Sequence, residues 1–197
     1  MVRVKQLDYE QIIRQQYLVS FSRKPLDKDE LYGFVLACSE TLTLLHVLET
    51  HTFTLNGYSV IRNDDVSWYG VYDRPDYYYE SRVLRLKAIT PTPQPEISVR
   101  SLTDLLASID MHYQLFTIHR EEISDEVCFI GRLTAMTPKT FTLFEIDTCG
   151  DWDRPRRYRF KDITKVDFGG GYEAALALVA RENEKSKLQR PRKTGSS

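Results

Sequence analysis

The sequence predicts a mainly β protein with peripheral helices, laid out as two tandem five-stranded small barrels, each preceded by a short helix. Three observations predict it: an ordered internal repeat, short apolar runs separated by polar turns, and a helix-capping pattern ahead of each repeat. In the first copy Asp8 caps a helical turn carrying Ile12 and Ile13. In the second, Ser101 caps and Asp104 stands three residues on, ahead of the stripe Leu102, Leu105, Leu106 and Ile109. The run Leu18-Val19-Ser20-Phe21-Ser22-Arg23 then matches Leu115-Phe116-Thr117-Ile118-His119-Arg120. Gly33-Phe34-Val35-Leu36-Ala37 follows in one copy and Gly131-Arg132-Leu133-Thr134-Ala135 in the other. Next, the apolar pattern aligns Leu42 to Val47 with Phe141 to Ile146, allowing one extra residue in the second turn. Asp65, Val66 and Ser67 match Asp162, Ile163 and Thr164, each trio being followed by an aromatic residue and a glycine. Five short strands close more readily than they lie flat, because closure removes unpaired edges.

The domain plan is therefore residues 1–72 for the first barrel, 73–100 for a connecting helix and linker, 101–171 for the second barrel, and 172–197 for a C-terminal helix and basic tail. Within the connector, Tyr79, Val83 and Leu86 fall on one helical face, and Pro91, Pro93 and Pro95 alternate as a stiff spacer. The C-terminal helix offers the stripe Tyr172, Leu176 and Val179, and the tail from Pro191 is expected to be disordered.

Composition bounds the function. The chain has 197 residues, 42% of them hydrophobic, with twelve tyrosines, which favours strands and recognition surfaces. A net charge of -1 supplies no global field toward nucleic acid or anionic lipid. Three cysteines, Cys38, Cys128 and Cys149, form no CxxC, and Cys38 and Cys128 lie in apolar runs, so a reducing compartment is expected. Residues 1–10 have no apolar signal core and no run is long enough to span a bilayer, so the expected localisation is cytoplasmic, with no membrane partner.

Gly33, Phe34, Val35, Leu42 and Thr43 stand at the spacing of the first motif of the Sm-like family, the small barrel of RNA-associated ring proteins, which this order of helix and strands resembles. Ile61, Arg62 and Asn63 with Val66 look like that family's second motif. The other copy keeps Gly131, Leu133, Phe141 and Ile163, but has Phe160, Lys161 and Asp162 where apolar-Arg-Gly would stand. The resemblance covers residues 7–69 and 101–168, and extends to uncharacterised bacterial two-barrel proteins. It implies RNA as a ligand, yet the family's Asp and Asn contact positions hold Ser39 and Thr43 in one copy and Thr137 and Thr142 in the other. Short hydroxyls offer no amide edge to read a splayed base.

The richest polar cluster is Arg154, Arg156, Arg157, Arg159 and Lys161 around Tyr158 and Phe160. On a strand, Arg157, Arg159 and Lys161 share one face, which can track a phosphate backbone or simply keep an edge soluble. Tyr78 and Arg82 form a second stacking-plus-cation pair one helical turn apart, with Tyr79 turned inward. His46 with His51, and His112 with His119, are separated by odd numbers and diverge on a strand, so no metal is expected. Asp147, Asp151 and Asp153 around Gly150 read as a turn rather than a calcium loop. Asp64 and Asp65 are adjacent and diverge as a catalytic pair would not. The glycines at 169–171 before a helix offer an anion cradle or merely a flexible exit. No nucleophile elbow or phosphate-loop pattern occurs, and no cofactor is expected.

The expectation from these residues is a non-enzymatic interaction or regulatory protein with an unknown protein partner. The alternative is an RNA or single-stranded nucleic-acid binder using the face at 154–161 and the basic tail Lys185, Lys187, Arg190, Arg192 and Lys193. A monomer or small oligomer is expected, because the first edge, residues 61–69, can meet the second barrel within the chain.

Overall fold

The computed structural model of the chain describes residues 7–92 and 96–189. Pro93 and Pro95, the tail residues Arg190, Arg192 and Lys193, and the tail from Pro191 lie outside the described residues. Among the described residues are ten strands, in two runs of five, and four helices that flank the runs. The strands are β1 (Leu18–Ser22), β2 (Glu30–Cys38), β3 (Leu42–Glu49), β4 (Thr54–Arg62), β5 (Trp68–Tyr72), β6 (Phe116–Arg120), β7 (Ser124–Met136), β8 (Thr140–Ile146), β9 (Trp152–Arg159) and β10 (Lys165–Phe168). Helix α1 (Tyr9–Gln15) precedes β1, α2 (Tyr79–Leu86) follows β5, α3 (Leu102–His112) precedes β6, and α4 (Gly171–Gln189) follows β10.

The two expected barrels are not what forms. All ten strands join one antiparallel sheet in the order β5-β1-β2-β3-β4-β10-β6-β7-β8-β9, and that sheet is not closed. A five-stranded barrel would need β4 to return to β5. Instead β10 takes the free side of β4, pairing Lys165 with Ile61, Val166 with Val60, Asp167 with Ser59 and Phe168 with Tyr58. Once that edge is taken, closure of either half on itself has no strand left to use. The resemblance to tandem Sm-like barrels is thereby withdrawn.

What repeats is a hydrogen-bonding pattern. Both five-strand runs have the same spatial order. Arg62 Nε meets Asp65 Oδ2 at 2.6 Å across a 3-10 turn, and Arg159 Nε meets Asp162 Oδ2 at 2.7 Å across the other. Ser67 donates to the Ser22 carbonyl as Thr164 donates to that of His119. Gly33 and Gly131 play one part: a Cβ there would stand 2.4 Å from the His46 carbonyl oxygen and 2.2 Å from that of Phe144.

These equivalences correct the sequence alignment by one residue. The turns headed by Ser39 and Thr137 have equal length, closing with Ser39 N to Leu42 O and Thr137 N to Thr140 O at 2.8 Å each. Cys38 opposite Thr43 therefore corresponds to Met136 opposite Phe141, and His46 to Phe144 rather than Glu145. A slip of one residue turns every side chain to the other face. His46, which the sequence alignment set against the polar Glu145, is buried and stacked on Tyr58, with ring centroids 4.6 Å apart.

Helices pack against both faces of the sheet. Ile12 of α1 packs with Val19, Phe21, Val35, Leu45 and Ile61 on one face, and Leu84 of α2 with Leu18, Phe34 and Leu48 on the other. Leu105, Leu106 and Ile109 of α3 seal the main core, which mixes Leu42, Leu44 and Val60 of the first half with Phe116, Ile118, Val166 and Phe168 of the second. Leu176, Ala177 and Ala180 of α4 cover Leu115 and Ile146. The expected helix stripes are thus partly wrong. Ser81 and Leu84, not Tyr79 and Leu86, face inward on α2, and Tyr172 and Val179 stay exposed on α4. Among the described residues, no helix is long and apolar enough to cross a membrane.

Candidate interaction surfaces

The arginine strand is β9, and it stands at one end of the sheet order, bonded only to β8. Tyr158 on β9 and Phe160 in the 3-10 turn after it lie in the core, 6% and 8% exposed, while Arg154, Arg156, Arg157, Arg159 and Lys161 reach solvent. Lys161 belongs to that turn and not to the strand face expected to hold it with Arg157 and Arg159. These cations are not equivalent. Arg156 lies 2.8 Å from Asp153 and 3.4 Å from Glu145, whose carboxylate also accepts the Tyr158 hydroxyl at 2.5 Å. Burial and that carboxylate push the Tyr158 hydroxyl pKa up. Arg159 is engaged by Asp162, as Arg62 is by Asp65. Arg154, Arg157 and Lys161 form no ion pair among the described residues. Beside them Arg132 caps a stack of Phe144 on Trp152, 4.6 Å from the Trp152 ring centre, and Trp152 donates to Glu184 of α4.

The second candidate lies at the other end of the order, after β5, so the structure does not bring the two together. Tyr78 is half-buried, edge-on to Tyr72 and Tyr77 at 5.1 Å each, and its hydroxyl accepts from Arg74. Arg82 is exposed one turn on, but the surface rings are Tyr77 and Tyr79, 70% and 67% exposed, joined by Leu86 at 74%. Tyr79, expected inward, leans outward against Phe53 because Tyr78 takes the inner place. Arg74 stands 4.5 Å over the Tyr77 ring, a cation–π contact that holds this ring in place on the surface.

Other polar residues prove occupied. The hydroxyls of Ser39 and Thr137 accept backbone N–H groups within their own turns. Asp147 accepts from the N–H groups of Cys149 and Asp151, closing the turn at 147–151. The Gly171 N–H donates to Asn56. Burial lowers the pKa of His46, and His119 binds Asp167 at 2.7 Å. No group of three or more His, Cys, Asp or Glu that could hold a metal occurs among the described residues. Cys128, expected inside, is exposed on β7. A cavity of about 540 Å³ opens between Arg62, Arg100, Ser101 and Phe160, with Arg62 already held by Asp65 and Glu122.

Sequence reasoning missed a polar seam where the halves meet. Arg23, 1% exposed, binds Glu121 through both terminal guanidinium nitrogens at 3.0 and 2.5 Å. Lys165 lies 3.5 Å from Asp167, and Thr117 donates to Glu173 at 2.6 Å. Burial would raise the Asp167 pKa, but the bond from His119 and the charge of Lys165 outweigh it and bring it to about 2. The partners are up to 98 residues apart, so no local spacing signalled them. No family model matches the chain, and neither a curated protein nor a solved structure does.

Proposed function

We propose that the chain is a non-enzymatic interaction protein, its ten-stranded sheet serving as a rigid frame for surfaces at the two ends of the strand order. The observation that carries this reading is the segment from Tyr72 to Leu86. Tyr77, Tyr79 and Leu86 leave most of their area in water beside Arg74 and Arg82. Tyrosine and arginine are the residues enriched where protein partners bind most strongly, and large apolar side chains left outside a well-filled core await a cover. Photocrosslinkers at 77 and 79, with a control at Glu10, test it in the cell of origin. A defined adduct from the first two sites alone is expected. Substrate turnover abolished by changing one polar residue would overturn it.

A second reading, single-stranded nucleic-acid binding at 154–161, draws on Arg154, Arg157 and Lys161. Against it, both aromatic residues of that stretch are buried, which leaves no ring there for a base to stack on. Titration with oligonucleotides at several salt concentrations separates the readings. Phosphate contacts must weaken as salt rises, and Arg157→Glu with Arg159→Glu must abolish them.

A further inference from the structure

We infer that β9 is a docking edge for an acidic, extended segment of a partner protein, which adds to the sheet as an eleventh strand. The inference rests on the interaction reading above and names the partner's chemistry.

Edge strands in folded proteins are guarded, because a row of unpaired N–H and C=O groups recruits further strands. The guard on β9 is thin. α4 reaches only its start, through Trp152 with Glu184 and Asp151 with Lys187, and Pro155 removes one donor. From Asp153 to Arg157 five consecutive residues are exposed, so both faces of the strand and its outer side are open.

The same position in the first half is β4, which shows how such a strand is met. Arg62 and Arg159 share a role, so Ile61 corresponds to Tyr158, Val60 to Arg157 and Ser59 to Arg156. On β4 the arriving strand β10 sets Val166 against Val60, apolar on apolar. On β9 the corresponding place is Arg157, which lacks a carboxylate among the described residues, with Arg154 earlier on the strand and Lys161 in the turn that follows it. A strand bringing Glu or Asp opposite Arg157 satisfies both the backbone row and the unpaired charge.

A second copy of this chain fits less well. Its own free edge is β5, where Gly70 and Tyr69 stand as Asp167 and Val166 do on β10. Docked like β10, it would set Tyr69 against Arg157 and bring no carboxylate.

The full chain is titrated with three probes: a blocked heptapeptide alternating Glu and Val, its Lys-for-Glu counterpart, and oligouridine. Binding is followed by fluorescence anisotropy, and amide hydrogen exchange locates it. The Glu peptide is expected to bind with slowed exchange at 153–159, about tenfold more tightly than the Lys peptide. Arg154→Gln with Arg157→Gln should weaken it by about fivefold at an unchanged melting temperature. Tyr77→Ser with Tyr79→Ser should leave it unchanged. Equal binding of the Lys peptide, preference for oligouridine, or no peptide binding at about 1 mM overturns the inference and leaves the tyrosine surface standing. So does protection at 68–72 and 153–159 without peptide, accompanied by a doubled mass, which would assign the edge to a second copy.

Discussion

Asp167 shows how the seam is poised. Its carboxyl ordinarily titrates at 3.8 and here at about 2, so the folded chain binds the proton less readily than the unfolded one. The stabilisation is complete above pH 4 and is lost as pH falls toward 2. Urea midpoints should therefore drop across that window, and Asp167→Asn should flatten the drop while removing on the order of 2 kcal/mol at pH 7. Arg23 is a harsher case, because truncation strands Glu121. Burial raises the Glu121 pKa, the Arg23 guanidinium outweighs it, and the net position is lowered. Arg23→Ala should cost about 3–5 kcal/mol in equilibrium unfolding, and Arg23→Ala with Glu121→Gln less than the sum of the two changes. None of this was legible in the sequence, where Arg23 is only the end of a strand. The arginine cluster was legible as a cluster, yet which members were free was not. Arg159 looked like its neighbours until Asp162 claimed it.

Local signals did better at the level of elements. Asp8 and Ser101 cap α1 and α3 as their spacing predicts, accepting from Gln11 N at 2.9 Å and Asp104 N at 3.1 Å. Ser101→Ala should lower stability by about 1 kcal/mol in thermal melts. The two matched glycines were also readable, and their reason is steric. Gly33→Ala places a methyl on the His46 carbonyl and should cost about 1–3 kcal/mol by denaturant titration. Register was not readable. β3 and β8 carry apolar residues on both faces, Leu44 with Leu45 in one and Leu143 beside Phe144 in the other, so a one-residue slip left the pattern looking intact. The helix α2 failed for a related reason. Tyr79, Val83 and Leu86 do share one face, but the sheet takes the adjoining face, where Leu84 packs with Leu18, Phe34 and Leu48.

For the molecule as a whole, the ordered repeat implied that both halves share one strand plan, but neither the open sheet nor the partner of β4 followed from it. Alternation says that an edge must be covered and not by which strand. With helices packed on both faces and the terminal strands β5 and β9 marked by Gly70 and by Pro155 with its arginines, light scattering at micromolar concentration should report a monomer or small oligomer. A six- or sevenfold mass would contradict that. The junction of β4 with β10 also sets a timetable. β10 leaves the ribosome about a hundred residues after β4, roughly 5–20 s later at ordinary synthesis rates. Until then β4 has no neighbour on its outer side, and until residue 112 has emerged Leu42, Leu44 and Val60 have no α3 above them either. Chains stalled once residue 92 has emerged should therefore be held by chaperones or aggregate, and those stalled once residue 175 has emerged should not. The newborn protein passes through a stage when its own next strand is its best protection.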